Sequence, residues 1–223
     1  MRKFLFLIFL STLVAPTPIL AKEPANSNDL TLDQLKKIQA DLKSHKYISV
    51  SFEQHLYRAW SKRESKSNGV AKFAMPDRFR WSIDNPYSKE LMDEYIYDGK
   101  NFYHHSAESK RAYRFSTQMA DAKEVMQIVD MVLNLKALFE RYDFVEGTRD
   151  EDDVLFTIKA KSKQNDVEKI DIVVAVKKSY ISLLKLYFIN KNTLTINFKL
   201  PEFKPFGDEA FSLPKNVKIK DSK

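Results

Sequence analysis

The residues from Asn68 to Asp98, NGVAKFAMPDRFRWSIDNPYSKELMDEYIYD, constrain the fold of this chain more than any other stretch. Aromatic and branched side chains alternate with charged ones over Val70–Met75, Phe79–Asp84 and Leu91–Tyr97, and polar, proline-marked turns separate the three runs. A period of two predicts strands with one apolar and one solvated face, and turns this short predict antiparallel neighbours. The pattern continues on both sides. Ile48–Tyr57 precedes it, and Phe102–Ser106 and Ala112–Ser116 follow the Asp98-Gly99 hairpin signal. Later come Tyr142–Gly147, Val154–Lys161, Val167–Lys177, Tyr180–Asn190 and Thr193–Leu200, with Lys177-Lys178-Ser179 and Asn190-Lys191-Asn192 as turns. In the later half Ile170, Ile172, Val174 and Val176 share one strand face, and Leu194, Ile196, Phe198 and Leu200 repeat the spacing.

Two segments break the alternation. Thr31–Lys46 places Leu32, Leu35, Ile38 and Leu42 on one helical stripe, with Thr31 and Gln34 in capping-box spacing. Gln118–Tyr142 is apolar on two faces: Ala122, Val125, Met126, Val129, Val132 and Leu133 on one, and Ile128, Met131, Leu135 and Leu138 on the other. A surface helix needs one such stripe, so this segment is expected to be covered on two sides. Asn134 is a natural point of division into two helices. Met119, Met126 and Met131 add side chains that repack readily, which suits a lid closing over a variable apolar partner. The plain alternative is an ordinary internal helix.

The expected architecture is α+β and mostly β: a single curved antiparallel sheet, a half-open barrel of about 10–11 strands, covered by helices. No Gly/Ser-rich linker divides the chain, so residues 22–223 form one domain. Residues 1–21 are expected to be a signal peptide. Arg2 and Lys3 precede an apolar run from Phe4 to Val14, broken only by Ser11 and Thr12, and Ala21 supplies a cleavage point. That run has about 11 residues, where a membrane span needs about 20. Removing Arg2 and Lys3 takes the formal net charge from +7 to +5. The basic residues are dispersed among acidic ones rather than gathered into a stripe, which argues against a nucleic-acid partner.

Catalysis finds little support. There is no cysteine for a nucleophile or a disulfide. His45, His55, His104 and His105 show no zinc-like spacing, and the last two fall on opposite faces of a strand. They read as surface histidines. Asp93-Glu94 and Asp150–Asp153 read as solvated charge. No Gly-x-Ser-x-Gly elbow or phosphate-binding Gly-rich loop is present. Neither an enzyme nor a cofactor is expected.

Several short motifs, in order, carry a resemblance. These are Phe52-x-Gln54, Gly69, Pro76-x-x-Phe79-x-Trp81, Asp98-Gly99-Lys100 and Phe211-x-x-Pro214-x-x-Val217. From about Val50 to the C-terminus the chain resembles the periplasmic outer-membrane lipoprotein carrier family (LolA-type). The resemblance implies a periplasmic chaperone that shelters the acyl chains of lipoproteins between the inner and outer membranes, and a carrier working by diffusion is expected to be a monomer. It implies three partners: acylated lipoproteins, an inner-membrane ABC transporter that releases them, and an outer-membrane acceptor. Val50, Phe52, Phe73, Phe79, Trp81, Ile83, Ile170, Ile172 and Val174 are the expected lining of the acyl-chain cavity. Met119, Val125, Met126, Val129, Val132 and Leu133 are the expected lid. A lipid-sensing or envelope-signalling module on a similar sheet is the alternative. Family members generally carry an arginine immediately before the proline at position 76, where it helps to hold the lid. This chain has Met75 there, so that closing device does not carry over, and Arg80, between Phe79 and Trp81, is expected to face away from both.

Overall fold

The computed structural model describes residues 27–88, 90–115, 120–150, 152–162 and 166–221; the expected signal peptide and Met119 lie outside them. Helix α1 (Ser27–Ser44) leads into β1 (Tyr47–Arg58), β2 (Arg63–Ala74), β3 (Arg78–Asp84), β4 (Leu91–Tyr97), β5 (Phe102–Ser106) and β6 (Arg111–Phe115). Helices α2 (Ala120–Leu133) and α3 (Leu135–Arg141) follow. The chain then returns to strands as β7 (Tyr142–Asp150), β8 (Asp153–Ala160), β9 (Val167–Ala175), β10 (Tyr180–Phe188), β11 (Thr193–Phe198) and β12 (Lys218–Asp221).

All twelve strands form one sheet in the order β12-β6-β5-β4-β3-β2-β1-β11-β10-β9-β8-β7. Two antiparallel meanders, β1–β6 and β7–β11, are joined where β1 pairs with β11. The end strands β12 and β7 are not neighbours, so hydrogen bonds do not close the sheet into a barrel. The sheet is also mixed rather than purely antiparallel. The tail segment Lys218–Asp221 adds parallel to β6, with Lys218 opposite Arg111. Four exposed residues without period-two burial gave no signal for this twelfth strand.

The local chemistry accounts for most boundaries. Asp98 accepts the N–H groups of Lys100 and Asn101 at 2.8 and 2.7 Å, and Gly99 takes φ 95°, completing the β4–β5 turn. Asn134 caps α3, its Oδ1 accepting from Ala137 N, and so divides the long helical segment as its sequence suggests. Several boundaries differ from expectation, β2 most of all, which begins at Arg63 rather than Val70. Helix α1 begins at Ser27, four residues before the expected start at Thr31, so Thr31 lies within the helix rather than at its N-terminus. Strand β9 stops at Ala175, because Val176–Lys178 make a 3-10 turn that leads into Ser179 at φ 53°. Strand β11 ends at Phe198, leaving Leu200 exposed.

The two faces of the sheet are covered differently. Register places Ile48, Val50 and Phe52 on the face shared by Phe73 and Ala71, and across β3 by Phe79, Trp81 and Ile83. Leu35, Ile38 and Leu42 of α1 and Val125, Ile128 and Val129 of α2 belong to the same buried cluster as these strand residues. Phe206, Phe211 and the segment around them lie over the opposite face, where Phe206 meets Tyr47 at 5.0 Å. No helix among the described residues is long and apolar enough to cross a membrane.

Candidate functional site: the helix-covered face

Alternation fixes which side chains meet beneath the helices. In β1 the buried positions are Ile48, Val50 and Phe52. Their partners carry the same face outward through the sheet in both directions. Phe52 lies opposite Phe198, Leu184 opposite Ile172, Ile181 opposite Val174, and Leu186 opposite Ile170. The nine strand residues expected from sequence therefore share one continuous surface. Ile83, the one nearest the β3–β4 turn, is only partly buried, whereas the other eight are buried. The structure adds members with the same alternation that the sequence reading did not assign: Tyr95, Tyr97 and Phe102 in β4–β5, and Phe156 and Ile158 in β8.

At the centre, Phe52 stacks on Trp81 with centroids 4.4 Å apart, and Phe198 meets both rings edge-on at 6.3 and 6.2 Å. Gly69 makes this cluster possible. A Cβ there would stand 2.3 Å from Phe52 Cζ and 2.3 Å from the Ser82 carbonyl oxygen, closer than any real contact. The glycine is used for close approach rather than for a turn.

Helices α2 and α3 roof this surface. Val125, Ile128, Val129 and Leu138 are buried, with Met126, Val132 and Leu133 packed at the margin, so both apolar stripes of the segment contribute. Asp130 of α2 accepts from Arg141 Nη2 of α3 at 2.9 Å. Burial holds the Asp130 carboxyl above its ordinary range; Arg141 and Asn134 act against that shift without cancelling it.

Space remains at the rim. A cavity of about 500 Å³ opens between α2, the end of α1 and the β2–β3 turn. Phe73, Phe79, Met126 and Val129 supply apolar wall, while Lys43 and Asp130 supply charge. Met75 lines it too, so an apolar side chain faces the space where the family arginine is expected. A second gap of about 20 Å³, between Leu42, Val50, Val132 and Phe198, is purely a packing space. Neither neighbouring arginine replaces the missing one. Arg80 is on the other face, donating to Glu94 at 2.7 Å, and Arg78 donates to Asp208 of the tail at 2.9 Å.

The chain matches the family model for the outer membrane lipoprotein carrier protein LolA over residues 43–214. The chain belongs to the LolA family. That family is periplasmic and consists of carriers, generally without enzymatic activity. Comparison with curated proteins finds no match. Among solved structures, an uncharacterized conserved protein from Thermus thermophilus superimposes with a TM-score of 0.54 at 8% identity, over 88% of this chain and 99% of the other. A DUF1329 family protein from Desulfovibrio piger gives 0.49 at 9% identity, covering 82% and 96%. A LolA superfamily protein from Nitrosomonas europaea gives 0.45 at 9%, covering 82% and 97%. At such identities the Thermus likeness is one of fold.

Two polar readings need correction within this LolA-family fold. Glu94, expected to be solvated, is 2% exposed, and His105, expected at the surface, is 4% exposed. They meet on the tail-covered face, His105 Nδ1 lying 3.2 Å from Glu94 Oε2, while Arg80 and Ser82 satisfy Oε1. The tail buries these residues, and a strand read alone cannot reveal that its polar face will be covered. His104 does fall on the opposite face, stacked on Tyr95 at 4.6 Å.

Proposed function

We propose that this protein is a periplasmic carrier that holds the acyl chains of lipoproteins against the helix-covered face and conveys them from the inner to the outer membrane. The observation that carries the reading is the continuous apolar surface, Val50 to Trp81 on one meander and Ile170 to Val174 on the other, roofed by a helical pair with a cavity at its rim. Residues 1–21 export the chain, and residues 22–223 act as one monomeric carrier domain.

Burying an acyl chain is worth about 0.8 kcal/mol per CH₂. A multiply acylated anchor contains tens of such groups, whereas non-covalent binding saturates near roughly −18 to −21 kcal/mol. The protein can therefore shelter such a cargo but not extract it from a bilayer unaided. Loading is driven by an inner-membrane transporter, and unloading by an outer-membrane acceptor. The cavity at about 500 Å³ lies within the range of about 300–1,000 Å³ typical of single small-ligand pockets. Several acyl chains need more room, so α2 moves off the sheet on loading. With Met75 in place of the family arginine, apolar packing of α2 on the sheet holds the roof closed, while the Asp130–Arg141 pair ties α2 to α3.

The test is release of lipoprotein from inner-membrane vesicles by the transporter with ATP, followed by native mass spectrometry of the soluble fraction. A one-to-one complex with acylated lipoprotein is the expected result. Failure to accept lipoprotein overturns the carrier reading, and retention of free phospholipid alone replaces it with lipid sensing.

A further inference from the structure

The far end of the first hairpin is unlike the rest of the surface. Strand β2 pairs with β3 only from Gly69 onward, whereas its pairing with β1 continues to Arg63 opposite Arg58. The β1–β2 hairpin therefore projects past β3 by about six residues, or roughly 20 Å. Trp60 stands at its tip, 85% exposed. Tryptophan is ordinarily among the more buried residue types, and the second tryptophan here, Trp81, is buried.

The charge around this tip is one-sided. Residues 58–66, RAWSKRESK, carry Arg58, Lys62, Arg63 and Lys66 against Glu64 alone, and all five are exposed. Arg58 and Arg63 form the last pair of the ladder, directly opposite one another. Like charges placed opposite across strands destabilise a hairpin. An anionic partner at the tip would reverse that cost. The neighbouring β10–β11 turn is fastened alongside, with Ala59 N–H donating to Asn192 Oδ1 at 3.0 Å. That turn contributes half-exposed Ile189 and exposed Lys191, whose ammonium lies 3.6 Å from Glu168.

We propose that this hairpin tip docks the protein on an anionic phospholipid bilayer, Trp60 entering the headgroup region and Arg58, Lys62, Arg63 and Lys66 lying over the lipid phosphates. Tryptophan favours that interface because its ring is apolar and its N–H polar. Basic residues near an anionic surface add to the attraction individually. The shape selects this partner over a folded protein. A stable protein interface needs about 800 Å² on each side, whereas fluid lipid conforms to a tip built of two adjacent turns. The Met75–Pro76 side of the cavity lies at the opposite end of β2 from this tip, about 40 Å away along the strand. Docking thus leaves the cavity clear of the bilayer, and the surface acts independently of what the cavity holds.

The experiment is co-sedimentation of the protein, recovered from the periplasm of the expressing cells, with phosphatidylcholine vesicles made with or without phosphatidylglycerol. Tryptophan emission is followed in the same samples. Binding is expected only with phosphatidylglycerol, accompanied by a blue shift, and is lost at high salt. Arg58→Gln and Arg63→Gln each weaken it about fivefold, the equivalent of about 1 kcal/mol per charge. Trp60→Ser weakens it about tenfold and abolishes the blue shift, because the remaining Trp81 is buried. Equal binding to both vesicle types overturns the proposal, as does undiminished binding by these variants while their melting curves match the parent. A tip that cross-links to an envelope protein but not to lipid overturns it as well.

Discussion

The α2–α3 pair and the C-terminal tail both cover a face of the sheet, but the tail is bonded to it at several points. Helix α3 is tied at its end, where Lys161 donates to the Phe139 and Arg141 carbonyls at 2.7 and 3.0 Å, and α2 packs through apolar side chains. Ser49 and Glu202 exchange backbone hydrogen bonds at 2.8 and 2.7 Å, and Lys199 N–H donates to the Ser51 carbonyl at 2.8 Å. Arg80 Nη1 donates to the Ala210 carbonyl at 3.2 Å, and Lys218–Asp221 completes a ladder with β6. On the other face, Asp130 of α2 spends its carboxylate on Arg141 of α3, and α2 meets the strands through Val125, Ile128 and Val129. Directional bonds resist gradual displacement, whereas an apolar contact is regained against any apolar partner of suitable shape. The tail belongs to the architecture. On the proposed carrier function, α2 would exchange its contacts with the sheet for contacts with an acyl chain.

This contrast can be broken most severely from the fastened side. Glu94→Ala removes the carboxylate that pairs Arg80 and His105, leaving a mostly buried guanidinium uncompensated under the tail. A loss of about 3–5 kcal/mol in stability is expected, read from urea unfolding. A loss below about 1 kcal/mol would show that the tail carries the face without this cluster.

On the helical side the expected damage is to function. Val129→Asp places a carboxylate at a position 8% exposed on the roof. A roof able to swing out escapes most of the desolvation cost, so the drop in melting temperature should be well below that of Glu94→Ala. Retention of lipoprotein in the transporter-driven release assay should fall about tenfold or more, corresponding to about 1.4 kcal/mol or more. If stability falls as far as retention does, α2 is ordinary core and no lid.

The smallest effect concerns pH. Burial raises the Asp130 carboxyl in the folded protein above its ordinary 3.8. In the window upward from 3.8 the folded state then binds more protons than the unfolded one, so stability falls as pH rises through it. Below that window both states are protonated and the penalty is absent; above the raised value it is complete. Acidification from neutral pH therefore tightens the α2–α3 unit as far as this group is concerned. Asp130→Asn should remove that component from a plot of melting temperature against pH, and an unchanged slope would assign the dependence to other groups.

The polar residues show where sequence stops being informative. Glu94 and His105 sit in strands that alternate, and nothing in their own segments distinguishes them from solvated strand residues such as Lys66. Their burial comes from a tail about 100 residues later in the chain, a coincidence in space that no local period encodes. Met75 is the converse case. Its departure from the family arginine is legible in sequence, while its place on the cavity wall depends on α2 lying across the β2–β3 turn.

By itself, the sequence determined the two meanders, the division of the long helix at Asn134, and the side chains of each strand that would face one way. A period of two is a property of backbone geometry and needs no knowledge of neighbours. Tertiary structure alone decided that the tail would be bonded to the sheet at several points and that α2 would pack on it through apolar side chains. It also decided that a parallel twelfth strand would join β6, and that Trp60 would stand free on a projecting hairpin while Trp81 lay under the roof. Those outcomes depend on the pairing of distant segments and on how far each strand outruns its neighbour, and such relations exist only once the whole sheet has formed.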